Sequence, residues 1–227
     1  MKKCILTILF AALCSFTFAQ KVTHMYPNKE SRIFFDSVKY VNPQFINGVV
    51  IFNDGKQAAG KMNISTINQG IHFVDSKNDT LAINTNDAVD RAYINGKLYV
   101  KSKFGFIEIL EMTENGGVGE LKSIIVHSDA QTGAYGLQTQ TSTVQTVTSF
   151  DETDVNLYLK TKQDKPFAYI KEPYLMIKGS IYPFTKKNLA KIFPQKKAQI
   201  ESYMKEHNPN LNAVAPAVEM FKAIEAL

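Results

Sequence analysis

Arg91-Ala92-Tyr93-Ile94-Asn95-Gly96-Lys97-Leu98-Tyr99-Val100-Lys101 is the stretch whose reading decides the fold of this chain. Asn-Gly tolerates positive backbone angles at both centre positions of a two-residue turn, which is what a tight hairpin requires. The residues after it alternate polar and apolar, the period of a strand with one face buried. The stretch therefore predicts an antiparallel hairpin rather than a helix.

The same grammar extends in both directions. Towards the N-terminus, Val49-Val50-Ile51-Phe52 runs into Asn53-Asp54-Gly55 and returns through Gly60-Lys61-Met62-Asn63-Ile64, and Ile71-His72-Phe73-Val74 turns at Ser76-Lys77-Asn78-Asp79 into Thr80-Leu81-Ala82-Ile83. Towards the C-terminus, Phe104 to Met112 and Leu121 to Val126 flank Asn115-Gly116-Gly117, and further strands are expected at Val155 to Lys160, Phe167 to Ile170 and Tyr174 to Lys178, with Gly179-Ser180 turning into Ile181-Tyr182. Turns about every 8 to 12 residues, with no helical crossovers between strands, predict an antiparallel sheet closed as a sandwich, roll or small barrel. Lys21 to Tyr40 reads as a lead-in holding one strand or short helix around Arg32-Ile33-Phe34-Phe35. Ala130 to Ser149, rich in Thr and Gln and without a charge, reads as a long flexible loop.

After residue 183 the period changes. Thr185 is placed to cap a helix that buries Leu189, Ile192 and Phe193 before Pro194 interrupts it. Ile200, Tyr203 and Met204 repeat the spacing in a second helix expected to end near Asn208-Pro209, and a third, from about Ala213 to Leu227, presents Val214, Val218, Phe221 and Ile224. The fold class is α+β, mainly β: a hairpin-rich antiparallel sheet over residues 20–183 and a helical segment over 184–227, packed on the sheet or on itself.

Residues 1–19 read as a cleaved export signal. Met1-Lys2-Lys3 supplies the positive head, Ile5 to Leu13 an apolar centre too short to cross a bilayer, and Ala19 the small residue before Gln20. Cleavage there takes both cysteines, Cys4 and Cys14, leaving a chain without disulfide, thiol nucleophile or thiolate metal site. Bulky Leu13 directly before Cys14 disfavours a lipoprotein signal. Loss of Lys2 and Lys3 lowers the basic residues from 26 to 24 against 21 acidic ones, a net charge of +3. Basic residues spread singly, apart from Lys186-Lys187 and Lys196-Lys197, make no nucleic-acid face. The strands are too short for a transmembrane barrel, and a helical tail stands where a closing strand would be.

Candidate chemistry is sparse. His24, His72, His127 and His207 have no ligand-like spacing, so a zinc or general-base site would have to assemble in space, from His72 and His127 with Asp75 or Asp129; ordinary histidines beside a sheet are the expectation. Glu108, Glu111 and Glu120 offer carboxylate pairs of the kind glycoside hydrolysis uses, but alternation makes Glu108 an outward residue or a strand-pair partner, Glu120 reads as a strand entry, and a solvated face is the expectation. Lys178-Gly179-Ser180 lacks the second glycine of a nucleophile elbow. Gly116-Gly117-Val118-Gly119 lacks the Lys-Ser/Thr of a phosphate loop and reads as a turn. No catalytic, cofactor or metal residue is assigned, and no cofactor is expected.

The residues Asn53-Asp54-Gly55 with Gly60-Lys61, Tyr93 through Tyr99-Val100, Phe106-Ile107-Glu108-Ile109-Leu110, Lys187-Asn188-Leu189 and Phe193-Pro194 resemble those of a group of uncharacterised secreted bacterial β-rich proteins with a short helical tail. The resemblance implies the architecture and no activity. The expected function is a non-catalytic binding or scaffolding module, periplasmic or extracellular, with a protein or cell-envelope component as partner. The alternatives are a periplasmic hydrolase of envelope material and a small-barrel carrier of an apolar ligand.

Overall fold

The computed structural model describes residues 23–25, 29–83, 88–126 and 167–226. The stretch read as an export signal, the loop expected at 130–149, the strand expected at 155–160, His127 and Asp129 lie outside them.

Among the described residues eleven strands form one antiparallel sheet: β1 Thr23–Met25, β2 Ile46–Phe52, β3 Gln57–Ile64, β4 Ile71–Val74, β5 Thr80–Ala82, β6 Val89–Ile94, β7 Lys97–Ser102, β8 Gly105–Met112, β9 Gly117–Val126, β10 Phe167–Ile177 and β11 Ser180–Pro183. Ten of them follow the spatial order β1-β10-β9-β8-β7-β6-β2-β3-β4-β5, and β11 pairs with β10. Helix α1, Lys29–Val38, precedes β2; α2 Lys186–Ile192, a 3₁₀ turn at Pro194–Lys196, α3 Lys197–His207 and α4 Val214–Ala226 end the chain. The lead-in thus supplies both a short strand and a helix.

Local chemistry accounts for the expected turns. Asn95 and Gly96 have φ of 55° and 73°, and β6 and β7 pair directly across them. Thr185 Oγ1 accepts from Asn188 N at 3.2 Å, and Asn208, left-handed at φ 42°, ends α3.

Three local readings need correction. Phe167–Ile177 is one continuous strand, not two. Pro173 interrupts nothing because its carbonyl points away from β9, accepting from Phe184 N at 3.0 Å, so the missing N–H falls on that same side. Gly117 to Gly119 belong to β9 rather than to a turn. A Cβ on Gly119 would stand 2.5 Å from Ile107 Cγ2 and 2.6 Å from Glu108 O, so the glycine is required by close strand approach. In α4 the buried residues are Ala217, Met220, Phe221 and Ile224, with Val214 and Val218 only half-buried, a rotation of the expected face.

The sheet is strongly curled. β3 and β9 are five strands apart, about 24 Å in a flat sheet at ~4.8 Å per strand. Yet the β3–β4 connection is hydrogen-bonded to β9 and β8: Ile124 N donates to Thr66 O at 2.8 Å, Gln69 Nε2 donates to Lys122 O at 2.9 Å, and Phe106 N donates to Gln69 Oε1 at 3.2 Å. Inside the curl Val50, Ile64, Ile71, Ala92, Ile94, Tyr99 and Phe106 pack into one cluster. Each fully buried large side chain there contributes about 1.5–3 kcal/mol. A second cluster joins Val118 and Leu175 of the sheet to Leu189, Phe193, Ile200 and the buried face of α4, so the helical segment packs on β9 and β10. A third joins Phe35 of α1 to Ile67, Ile124 and Phe167.

Candidate functional site

Alternation along β7 puts Lys97, Tyr99 and Lys101 on the face that lines the curl. Register then carries the row across the sheet. Tyr99 faces Glu108, Glu108 faces Glu120, Glu120 faces Pro173, Lys122 faces Lys171, and Ile124 faces Tyr169. Two apolar clusters on this face flank the charges, with Ile124 on one side and Val118 and Leu175 on the other.

Glu108 and Glu120 are only 5% and 8% exposed. The solvated face expected for them is corrected: alternation gives a side chain's face, but the curl decides whether that face meets water. Lys122, whose side chain is 13% exposed, stands between the two acids, its Nζ 2.9 Å from Glu108 Oε2 and 3.3 Å from Glu120 Oε2. Lys97 Nζ donates to Glu108 Oε1 at 2.5 Å, and Lys171 Nζ lies 3.9 Å from Glu120 Oε1. Tyr99 Oη donates to Glu108 Oε2 at 3.4 Å. Glu111 is separate, half-exposed and paired with Lys222 of α4.

The electrostatics favour the ionised forms of Glu108 and Lys122. Burial pushes the Glu108 carboxyl up, but hydrogen bonds from Lys97 and Lys122 outweigh it and leave the group below the ordinary carboxylate value. Burial works against the Lys122 ammonium, yet its contacts with Glu108 and Glu120 hold it above the ordinary lysine value. Burial and the Glu108 charge push the Tyr99 hydroxyl up, so it stays protonated. A carboxyl that serves as general acid needs its affinity for the proton raised. Glu108 is tuned in the opposite direction, which suits this carboxyl to ion pairing rather than to donating a proton.

The histidines do not converge among the described residues. His72, buried on β4, has Nδ1 3.0 Å from Tyr40 Oη, and the two rings meet edge to face at 5.6 Å. Asp75, its proposed companion, instead accepts from Lys77 N and Asp79 N at 2.8 and 2.9 Å and so shapes the β4–β5 turn. His24 lies on β1 opposite Ala168, and His207, at the end of α3, packs on Tyr203 with ring centroids 4.3 Å apart. Among the described residues no group of three or more His, Cys, Asp or Glu is placed to hold a metal ion. Lys178 and Gly179, with φ of 49° and 76°, form the β10–β11 hairpin turn.

Two of the hollows on the described surface bear on binding. A groove of about 610 Å³ lies where the β8–β9 and β10–β11 turns meet the helical segment; Met112, Met176, Ile177 and Phe193 provide its apolar surface and Glu114, Lys178, Lys196 and Glu225 its charges. Glu225 accepts from Thr113 Oγ1 at 2.7 Å and Asn115 Nδ2 at 3.1 Å, fixing α4 to the β8–β9 turn. Met112 remains 54% exposed. The other hollow, about 520 Å³, lies between the segment 36–45 and β3–β5.

Sequence reading did not find Lys97, Lys122, Lys171 or Tyr40. The signal present for the lysines was their same-face spacing, Lys97 with Tyr99 and Glu120 with Lys122, which becomes a site only once the strands are in register. Tyr40 is 32 residues from His72, with no local pattern linking them. No described helix is long and apolar enough to cross a membrane. Comparison with protein-family models, curated proteins and solved structures finds no match to this chain.

Proposed function

We propose that this chain is an exported, non-catalytic binding or scaffolding module of the bacterial cell envelope, and that it receives a protein or envelope component in the groove between the sheet turns and the helical segment. The observation that carries this reading is the groove itself. Two methionines and Ile177 offer adaptable apolar contact within a ring of both charge signs, the composition of a surface that binds a chain segment rather than turns over a substrate. The favoured ionisation of Glu108 and Lys122 supports it, since this buried pair is tuned for ion pairing. Packing of Tyr99 and Phe106 into the core supports it too, because those aromatics fill space that an apolar cargo would need.

The test is recovery of partners from an envelope extract with the wild-type protein and with Met112→Glu, which changes an exposed side chain and leaves the core intact. The reading expects a defined partner lost in the variant. Hydrolysis of chromogenic glycosides by the wild type, abolished by Glu108→Gln, would overturn it.

A further inference from the structure

The face of β3–β5 turned away from the main core carries a second hollow, of about 520 Å³, between it and the segment 36–45. Its walls are preset. Asn63, fully buried on β3, donates through Nδ2 to Asn42 O at 2.8 Å and Gln44 O at 3.0 Å, and its Oδ1 accepts from Asn42 N at 3.0 Å. One side chain thereby pins the backbone of the covering segment to the sheet.

Tyr40 is held equally firmly. Its hydroxyl hydrogen-bonds with His72 Nδ1, and its ring stands edge to face between His72 and Phe45, whose centroid is 5.0 Å away at 67°. Phe45 and Tyr40 therefore offer aromatic surface already fixed in place, so binding costs little side-chain entropy. At the rim Asp36 and Lys39 form an ion pair at 3.1 Å, and Thr80 contributes an exposed edge-strand hydroxyl. The pair cancels in charge but supplies an acceptor and a donor side by side, both able to make charge-assisted hydrogen bonds.

Apolar ring surface below and neutral-sum donors and acceptors above match one ligand chemistry in particular. A pyranose has a C–H face that packs on aromatic rings and hydroxyls around its edge that both give and accept hydrogen bonds. We propose that this hollow is a binding site for a neutral saccharide, resting on Tyr40 and Phe45 with its hydroxyls taken by Asp36, Lys39 and Thr80. The site is built from different elements than the groove at the helical segment and stands independently of it.

Saturation-transfer NMR and calorimetry with maltotetraose and with triacetylchitotriose, each at millimolar concentration, test the proposal. Binding of at least one is expected, with affinity falling about tenfold in Phe45→Ala, the loss of one aromatic contact, and falling likewise in Asp36→Asn. Thr80→Arg, at an exposed position that leaves the core untouched, should close the mouth and abolish binding while the thermal unfolding curve stays unchanged. Met112→Glu should bind saccharide as the wild type does. Absence of binding by both oligosaccharides, or binding that survives Phe45→Ala and Thr80→Arg at wild-type strength, overturns the proposal.

Discussion

Glu108 and Glu120 stand directly opposite one another on β8 and β9, and the Lys122 ammonium holds both. Like charges in facing positions destabilise a strand pair, and burial makes an unpaired carboxylate far more costly still. Lys122 is thus the residue on which this part of the sheet depends. Lys122→Met should lower stability by about 1–3 kcal/mol, the cost of lost charge-assisted hydrogen bonds to buried groups, because Lys97 and Lys171 still face the two acids. Adding Glu108→Gln should recover part of that loss, because the unscreened repulsion between Glu108 and Glu120 is then gone; urea unfolding of the single and double variants measures the coupling.

The same cluster contributes to the response to pH. The folded Glu108 carboxyl lies below its ordinary 4.5, so its contribution is present above that value and is lost as pH falls from about 4.5 through the lower folded value. Lys122 and Tyr99 are raised in the fold, so their contributions are present below 10.5 and 10.0 and fade as pH climbs past them. A stability plateau with an acid limb and an alkaline limb follows. Glu108→Gln should flatten the acid limb while lowering the plateau, which thermal melts across the pH range will show.

Much of the fold was legible because its determinants are local. Asn95-Gly96 specifies a turn by backbone angle, and Thr185 caps a helix through an oxygen three residues from the amide it accepts. The burial of Glu108 and Glu120 was not legible, since both sit in alternating strands that would read the same on an open sheet. Pairing across β8, β9 and β10 and the curl that buries their common face are long-range facts. The Tyr40–His72 contact was hidden for the same reason.

Two glycines separate the cost of conformation from the cost of contact. Gly96 has φ 73° and open space where a Cβ would be, so Gly96→Ala should cost about 1–2 kcal/mol, the left-handed penalty alone. At Gly119 the added carbon meets the carbonyl oxygen of Glu108, a backbone atom that can move only with its strand. Gly119→Ala should therefore cost about 1–3 kcal/mol through overpacking. It should also disturb the amide resonances of Ile107 to Ile109, whereas those of Gly96→Ala change only near the turn.

One side-chain amide ties two strands at once into the closure of the curl. Gln69, with φ 54°, turns its Nε2 to Lys122 O and its Oε1 to Phe106 N, joining the β3–β4 connection to β9 and β8 at once. Truncation leaves a donor on one strand and an acceptor on another without these partners, at about 1–3 kcal/mol for each group that stays buried. Gln69→Ala should thus lower global stability, and it should act unevenly: hydrogen exchange should quicken most at Phe106, whose own amide loses its acceptor, while the β6–β7 hairpin keeps wild-type protection relative to the new global stability. Gln69→Glu discriminates further, because its carboxylate can still accept from Phe106 N but has no hydrogen for Lys122 O. Protection at Phe106 should return in that variant while stability stays low; equal loss in both variants would show that the Nε2 bond to Lys122 O is what holds residue 69 against Phe106 N.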